Sequence, residues 1–286
     1  KYIYGIETGL SSDPDMNWQI NELKNRSILS FSDAHSPAKM GREATVFELE
    51  QASFENIRKA IMRPSVISMT PKSTEGDEVI TSNNGNKIAY TIEFYPEEGK
   101  YHFSGHRNCK FVASPDYIDK NGNICPVCKR RLTEGVDLRV RQLADEDLKG
   151  RVEIEKNSSG LQWFTDKMNL QPPYVKLVPL LEIVAEGLSS TVASQKSKNL
   201  FNKLCSELQN ELYVLLKATH AEIAAVAGDQ VAEGVLKVRA GDIVIHPGYD
   251  GEYGIVRIWE NGTQKSSHSS KKPTQKISKG QLGLDI

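Results

Sequence analysis

One spacing constrains this chain more than any other: His106-x2-Cys109 is followed, after fifteen residues, by Cys125-x2-Cys128. Each pair can present two ligands from one tight turn, and three thiolates with one imidazole form a ligand set that Zn²⁺ takes in closed structural sites. Cysteines clustered in this way favour a metal site over a disulfide framework. We therefore predict a structural zinc site in a zinc-binding ribbon at residues 101–131.

Two other residues bear on this assignment. His102 lies on the strand that leads into the first pair, and it is an alternative to His106 as the fourth ligand. Cys205 lies in a stretch with helical periodicity, and we expect it to pack in a core because a free cysteine behaves as a small apolar residue.

The charge of the chain is balanced overall but uneven locally. The formal net charge is -1, so contact with nucleic acid requires a local basic face. Between residues 107 and 141, eight Lys and Arg residues stand against four Asp and Glu residues. Cations near the DNA backbone gain affinity from counterion release, and a solvated basic face without a partner is the alternative. The DNA-binding residues that we predict in this segment are Arg107, Lys129, Arg130 and Arg131.

A carboxylate and an imidazole follow an apolar strand near the start of the sequence. The run Ile28 to Phe31 leads into Ser32-Asp33-Ala34-His35. Residues two apart on an extended segment face the same way, so Asp33 and His35 could bind one metal ion. In barrel folds, catalytic groups gather at such strand ends. The segment resembles the last metal-binding motif of the polymerase and histidinol phosphatase (PHP) superfamily, and this resemblance implies that the two residues are catalytic.

Composition and periodicity divide the rest of the chain. We expect α/β organisation at residues 1–64, a linker and hairpin at 65–100, a helical domain with a small terminal hairpin at 132–259, and a flexible basic tail at 260–286. No apolar run approaches the ~20 residues that a membrane span needs. We expect a cytoplasmic, nucleoid-associated protein.

Several motifs of this sequence occur in the same order in endonuclease Q, a DNA repair nuclease of the polymerase and histidinol phosphatase (PHP) superfamily. They are Glu7 to Pro14, Ser32 to Pro37, Gly41 to Ala44, Gly105 to Cys109, Cys125 to Cys128 and Pro172 to Leu180. The chain resembles this family over most of residues 1–259. The resemblance implies an α/β plus α fold in which the C-terminal part of a PHP-type distorted β/α barrel precedes the zinc ribbon and the helical domain.

The resemblance also implies an activity. Endonuclease Q nicks double-stranded DNA on the 5′ side of deaminated bases (hypoxanthine, uracil and xanthine) or of abasic sites. A cluster of divalent catalytic ions (Zn, Mn or Mg) would then be bound by Asp33 and His35, with Glu7 at the rim of the active site and Arg42 among the DNA-binding residues. Loop 8–15 and the turn from Tyr249 to Tyr253 are further candidates for contacting DNA, and for the turn an ordinary loop is an equal alternative.

One departure from the family pattern has consequences. PHP sites draw most of their metal ligands from earlier histidine-rich motifs, but residues 1–34 contain no histidine. We therefore expect the sequence to be N-terminally incomplete and inactive alone.

The final six residues resemble the short peptide with which bacterial proteins bind the sliding clamp. Such a peptide inserts apolar side chains into a groove of its partner. The clamp-binding residues that we expect are Gln281, Leu282, Leu284 and Ile286.

Two other functions compete with the nuclease. A non-catalytic zinc-ribbon DNA-binding or sliding-clamp adaptor would have no use for Asp33 and His35 at a strand end. The zinc ribbon and the clamp-like tail argue against a small-molecule phosphatase of the same superfamily. A helicase is disfavoured because the sequence has no Gly-x4-Gly-Lys-[Ser/Thr] phosphate loop.

Overall fold

The computed structural model describes residues 3–62 and 85–260, and within these ranges strands and helices are mixed as expected. The strands are β1 (Gly5–Glu7), β2 (Ser27–Leu29), β3 (Ala44–Glu48), β4 (Lys87–Glu93), β5 (Ser104–His106), β6 (Phe111–Ala113), β7 (Val152–Lys156), β8 (Gln162–Asp166), β9 (Tyr174–Lys176), β10 (Val244–His246) and β11 (Ile255–Arg257). The helices are α1 (Pro14–Trp18), α2 (Phe54–Met62), α3 (Pro115–Asn121), α4 (Val136–Leu143), α5 (Leu180–Gly187), α6 (Gln195–Glu207), α7 (Glu211–Leu216), α8 (His220–Ala227) and α9 (Asp229–Ala240).

The first two strands, β1 and β2, form a parallel pair with Glu7 opposite Leu29. Parallel strands need a crossover connection, and α1 lies within it. Asp13 caps this helix by accepting a hydrogen bond from the Met16 backbone N–H at 3.0 Å. Because the strands are parallel, their carboxyl ends lie at one edge. The segments after Glu7 and after Leu29 therefore start side by side.

A five-stranded sheet joins segments that the sequence pattern assigns to three different domains. Its strand order is β3-β4-β9-β8-β7. Strand β4 is antiparallel to β3 and parallel to β9, so it is an internal strand and not half of a local hairpin, which corrects the hairpin expected within residues 65–100. Its partners are distant in sequence, and a local turn signal cannot reveal them.

Residues 152–176 differ from the helical domain predicted at 132–259. They form β7, β8 and β9, and β7 pairs with β8 in an antiparallel hairpin. The side chain of Asn157 closes the turn by accepting hydrogen bonds from the backbone N–H groups of Ser159 and Leu161, both at 3.0 Å. Apolar residues alternate with glutamates along β7, but this edge strand is solvated on both faces: four of its five residues are exposed, and Ile154 is 53% exposed.

Helices α5 to α9 pack together over the main hydrophobic core. Its fully buried members include Val175, Leu180, Ile183, Leu204, Val214, Ile223 and Val235. Strands β10 and β11 form an antiparallel hairpin beside it, where the sequence pattern has one. The Glu186 carboxylate fastens this hairpin to α5 by accepting from the backbone N–H groups of Ile258 and Trp259 at 3.0 and 3.1 Å.

A buried ion pair ties α1 to the sheet. The Arg151 guanidinium donates from Nε to Asp166 Oδ1 at 2.7 Å and from Nη1 to the Trp18 carbonyl at 3.0 Å. The two charged side chains are only 3% and 0% exposed. The backbone N–H groups of Met168 and Gln171, each at 3.0 Å, also donate to the carboxylate.

Parts of three predictions lie outside the described residues. They are the two ends of the α/β segment at residues 1–2 and 63–64, the linker at 65–84, and the basic tail at 261–286 with its clamp-like peptide. Within the described ranges, the helices are all too short or too polar to cross a bilayer.

Candidate metal centre and strand-end site

The side chains of His106, Cys109, Cys125 and Cys128 converge on one point. The ligand atoms that they offer all lie within 4.8 Å of one another, and the Cys128 Sγ is 3.2 Å from the His106 Nδ1. A tetrahedral ion with Zn–S bonds of about 2.3 Å spaces its ligand atoms roughly 3.8 Å apart. The four groups therefore fit one tetrahedral ion, and a set of thiolates with imidazole suits a soft or borderline cation.

Two turns of similar design present these ligands. In the first, the strands β5 and β6 pair in an antiparallel hairpin around the 3-10 turn Arg107–Cys109. In the second, the Lys129 backbone N–H donates to the Cys125 carbonyl at 2.9 Å. The residue after the second ligand of each turn is left-handed, with φ of 51° at Lys110 and 62° at Lys129. A left-handed residue ends each turn and sends the chain away from the ligand atoms.

The surroundings of Cys125 favour its thiolate. Burial raises the pKa of this thiol, but the backbone N–H groups of Cys128 and Val127 and the ring of His106 oppose that effect and lower the pKa to about 6. Cys125 is also buried beside Ala113 and Leu132 in a small core of its own. The thiolate form is the one that binds metal.

His102 and Cys205 lie elsewhere. His102 is buried with its Nδ1 at 3.1 Å from the Ser11 carbonyl oxygen, so it links the segment that carries the cysteine cluster to the loop after β1. Cys205 packs against the main core from α6. The structure thus gathers His106, and not His102, with the three cysteines.

The basic residues of this segment are not equally available. Arg107, Lys129 and Arg130 are exposed. Arg131 contacts Glu134 at 2.5 Å. Arg141 forms ion pairs with the exposed carboxylates of Asp116 at 2.6 Å and Asp119 at 2.7 Å. The excess positive charge counted in the sequence is therefore partly neutralised within the segment.

Asp33 and His35 lie beyond the carboxyl end of β2, both exposed, and Glu7 ends the adjacent β1. The His35 Nδ1 is 2.9 Å from the Asp33 carbonyl oxygen, and Asp33 is left-handed with φ of 43°. Among the residues that the structure describes, only the His106 cluster brings three or more metal ligands this close together. Within the described residues, Asp33 and His35 therefore do not form such a group with a third His, Cys, Asp or Glu.

Two buried glutamates beneath this edge were not assigned from the sequence. Burial raises the pKa of Glu43 to about 7, with the Phe94 N–H and Arg42 opposing it and the charges of Glu7 and Asp33 adding to it. Burial likewise raises the pKa of Glu93 to about 8. The electrostatic coupling of Glu43 to Glu7 and Asp33 indicates that these acids share one neighbourhood.

Hydroxyl groups surround the Glu93 carboxyl. Thr8 donates to it at 3.2 Å, Ser30 donates at 3.1 Å, and Thr91 also contacts it. A glutamate at the end of the apolar strand β4 is the sequence signal for such a site. Glu43 stands in the quoted Gly41 to Ala44 motif, but the motif alone gave it no role.

Arg42 is held close to the same edge. Its Nε donates to the Ser32 carbonyl at 3.0 Å, and its guanidinium lies 5.7 Å from the centre of the Phe94 ring. The backbone of the loop that carries Asp33 is therefore fastened by this side chain.

Comparison with solved structures identifies the fold. The chain matches the crystal structure of the lesion-specific endonuclease PfuEndoQ from Pyrococcus furiosus with a TM-score of 0.68 and 31% sequence identity, over 92% of this chain and 56% of that one. It matches a complex of endonuclease Q with a 27-mer duplex carrying an abasic lesion at the active site with a TM-score of 0.67, 31% identity and 92% coverage, over 57% of that chain. The resemblance to endonuclease Q is confirmed.

The chain is also similar in sequence to proteins of uncharacterised function. The family model of the MJ0043 C-terminal domain matches residues 179–242. The uncharacterised protein MJ0043 of Methanocaldococcus jannaschii is 30% identical over 88% of this chain, and YqxK of Bacillus subtilis is 27% identical over 89%. The chain spans 28% and 53% of these two relatives, and just over half of each solved chain.

Proposed function

We propose that this chain belongs to a metal-dependent DNA repair endonuclease that nicks the strand on the 5′ side of deaminated bases (hypoxanthine, uracil or xanthine) or of abasic sites. The observation that carries the proposal is the match to a lesion-specific endonuclease over 92% of the chain at 31% identity. A second solved relative holds duplex DNA with an abasic lesion at its active site, which supports double-stranded DNA as the partner here.

We further propose that β1 and β2 belong to a PHP-type barrel and that its catalytic edge carries Asp33 and His35 as metal ligands. The parallel register of the strands supports this, because it brings Glu7 to the same edge. Divalent ions bound there would supply an activated water and neutralise charge on the phosphate oxygens. The chain's own groups hold this edge: Arg42 fixes the loop backbone at Ser32, and the Thr8 and Ser30 hydroxyls hold the Glu93 carboxyl.

The cysteine cluster has a different role in this proposal. A site with four protein ligands has no open position for substrate, so zinc there would stabilise the ribbon and would not catalyse. The exposed cations of its turns, Arg107, Lys129 and Arg130, would then contact DNA phosphates, with Arg131 joining them by leaving Glu134. Phosphate contacts of this kind position a protein on the duplex without reading the base.

The test is nicking of a duplex that contains a single deoxyinosine, deoxyuridine or abasic site. Two forms of the protein are tested. One is this chain alone, and the other is this chain joined to the additional part that its longer relatives contain. Asp33→Ala is expected to abolish nicking but to keep DNA binding, whereas Glu155→Ala, which removes an exposed carboxylate from the edge strand β7, is expected to nick like the wild type.

Full nicking by Asp33→Ala would overturn the role of the strand-end site. Binding of the lesion duplex without nicking in either form of the wild type would instead favour the non-catalytic zinc-ribbon adaptor. An adaptor that also binds the sliding clamp through Gln281, Leu282, Leu284 and Ile286 would lose that binding when residues 281–286 are deleted.

A further inference from the structure

Two exposed tyrosine rings lie near the same lysine, Lys100, next to the segment that carries the cysteine cluster. Tyr101 is 44% exposed and Tyr253 is 70% exposed. The Lys100 ammonium lies 5.7 Å from the centre of the Tyr101 ring and 5.6 Å from that of the Tyr253 ring. With the exposed Arg107, these residues form what we call the tyrosine–cation patch. Single exposed aromatic residues need no explanation, but two rings grouped with two cations do.

The backbone beneath the patch is held by a series of hydrogen bonds. The N–H of Gly251 donates to the Lys100 carbonyl at 2.9 Å, and the N–H of Gly254 donates to the Glu98 carbonyl at 3.0 Å. These two bonds lie on either side of Tyr253. The patch therefore joins two segments that are about 150 residues apart in sequence, and its two rings are placed before any ligand arrives.

Asp250 fixes the cationic side of the patch. Its carboxylate accepts from the Arg107 backbone N–H at 2.8 Å and from the Thr133 hydroxyl at 2.6 Å. Gly251 has φ of 88°, and a Cβ there would lie 3.1 Å from the Arg107 guanidinium. The turn thus brings its backbone close to Arg107 and still leaves that side chain exposed.

The patch places two cations beside its two rings. Lys100 and Arg107 contribute two positive charges, and two negative charges lie on the neighbouring turn, at Asp250 and at the exposed Glu252. The Asp250 carboxylate is held by the Arg107 backbone N–H and the Thr133 hydroxyl. Proteins that bind single strands combine cations along the backbone with aromatic rings on which bases stack. An apolar protein partner would not need the two cations beside the rings.

We propose that the tyrosine–cation patch binds a DNA strand whose bases are unstacked, with bases on Tyr101 and Tyr253 and phosphates near Lys100 and Arg107. This inference rests on the proposed function, since a lesion nuclease meets a locally unpaired strand at each site it acts on. It adds a binding surface that lies on the zinc-binding segment and the terminal hairpin, apart from Asp33 and His35.

The experiment measures binding of the full chain to two probes. One is a single-stranded oligonucleotide that contains 2-aminopurine, and the other is a duplex with one abasic site and 2-aminopurine opposite it. Tyr253→Ala and Tyr101→Ala are each expected to weaken binding by about fivefold to a hundredfold, the range that base stacking on one ring supplies, and to lose the quenching of 2-aminopurine. Tyr253→Phe keeps the ring and is expected to bind like the wild type.

Two further variants sharpen the result. Phe54→Ala, which removes an 81% exposed ring from α2, is the matched control and is expected to change nothing. Arg107→Gln is expected to reduce the slope of log Kd against log salt by about one, as the loss of one phosphate contact does.

The outcomes separate this inference from the proposed function. If Tyr253→Ala and Tyr101→Ala bind and quench both probes like the wild type, the patch is not a DNA-binding surface and the inference is overturned, as it is if the wild type binds neither probe. If the wild type binds and quenches through the patch but does not nick lesion duplexes in either form, the inference holds and the nuclease proposal fails.

Discussion

Replacing Cys125 with alanine tests the metal centre at its most buried ligand. Cys125 is 0% exposed and belongs to a small core with Ala113 and Leu132. The change removes one of four ligands and leaves the other three on the turns that carry them. We expect the bound zinc to fall from one ion per chain to none at micromolar protein concentration.

The expected magnitude follows from the size of that core. Burying one large apolar side chain contributes about 1.5–3 kcal/mol, so the few buried residues of this segment supply only a few kcal/mol. Structural zinc contributes about 10–16 kcal/mol in zinc-finger peptides at neutral pH. The free energy that the metal contributes is therefore at least twice that of the small core. For this reason, loss of the ion is expected to unfold residues 101–134 locally. Helices α5 to α9 have their own core and are expected to stay folded.

The assay combines metal analysis with amide hydrogen exchange. In Cys125→Ala, and in the wild type after chelation, exchange is expected to rise in residues 101–134 and to stay slow in 180–240. Cys205→Ala is the matched control, because this cysteine lies in α6 away from the cluster, and it is expected to keep the zinc. A wild-type chain without metal, or a Cys125→Ala chain that keeps it, would refute the reasoning.

Two further predictions concern buried acids. Asp166→Asn leaves the Arg151 guanidinium buried without its counter-ion, so urea unfolding is expected to show a loss of about 3–5 kcal/mol. Glu134→Gln, at the exposed pair with Arg131, should cost less than about 1 kcal/mol. Burial raises the pKa of Glu93 from 4.5 to about 8, so the folded state holds a proton that the unfolded state loses between these values. The free energy of unfolding should therefore fall, on the order of 3 kcal/mol, as the pH rises from 5 to 8, and Glu93→Gln should flatten this dependence; an equal slope in both proteins would contradict the assignment.

The cysteine cluster could be predicted from the sequence because the spacing of metal ligands along the chain is set by local turns. A tight turn sets the distance between two ligands, so the spacing of His106 and Cys109, or of Cys125 and Cys128, carries the geometry with it. The same spacing favours His106 over His102, but it does not show what His102 does instead: its ring lies against the Ser11 carbonyl oxygen, from another part of the chain. Long-range contacts of this kind leave no local pattern.

The sheet shows the same limit on a larger scale. The pairing of β4 with β3 and β9 brings together segments on both sides of residues 101–131, and no local signal specifies those partners. Edge strand β7 alternates charged and apolar residues over only five positions, which is too short to outweigh the helical pattern that follows. The burial of Glu93 depends on the same pairing, so its raised pKa could be found only once β4 was placed inside the sheet.

The position of the cut tests the proposed nuclease activity most directly. A duplex labelled at one 5′ end and carrying a single deoxyinosine is incubated with the active form of the protein and divalent metal, beside an undamaged duplex of the same sequence. We expect one product, cut on the 5′ side of the lesion, and no cut in the undamaged duplex. Equal cleavage of both duplexes, or a cut at positions unrelated to the lesion, would contradict it.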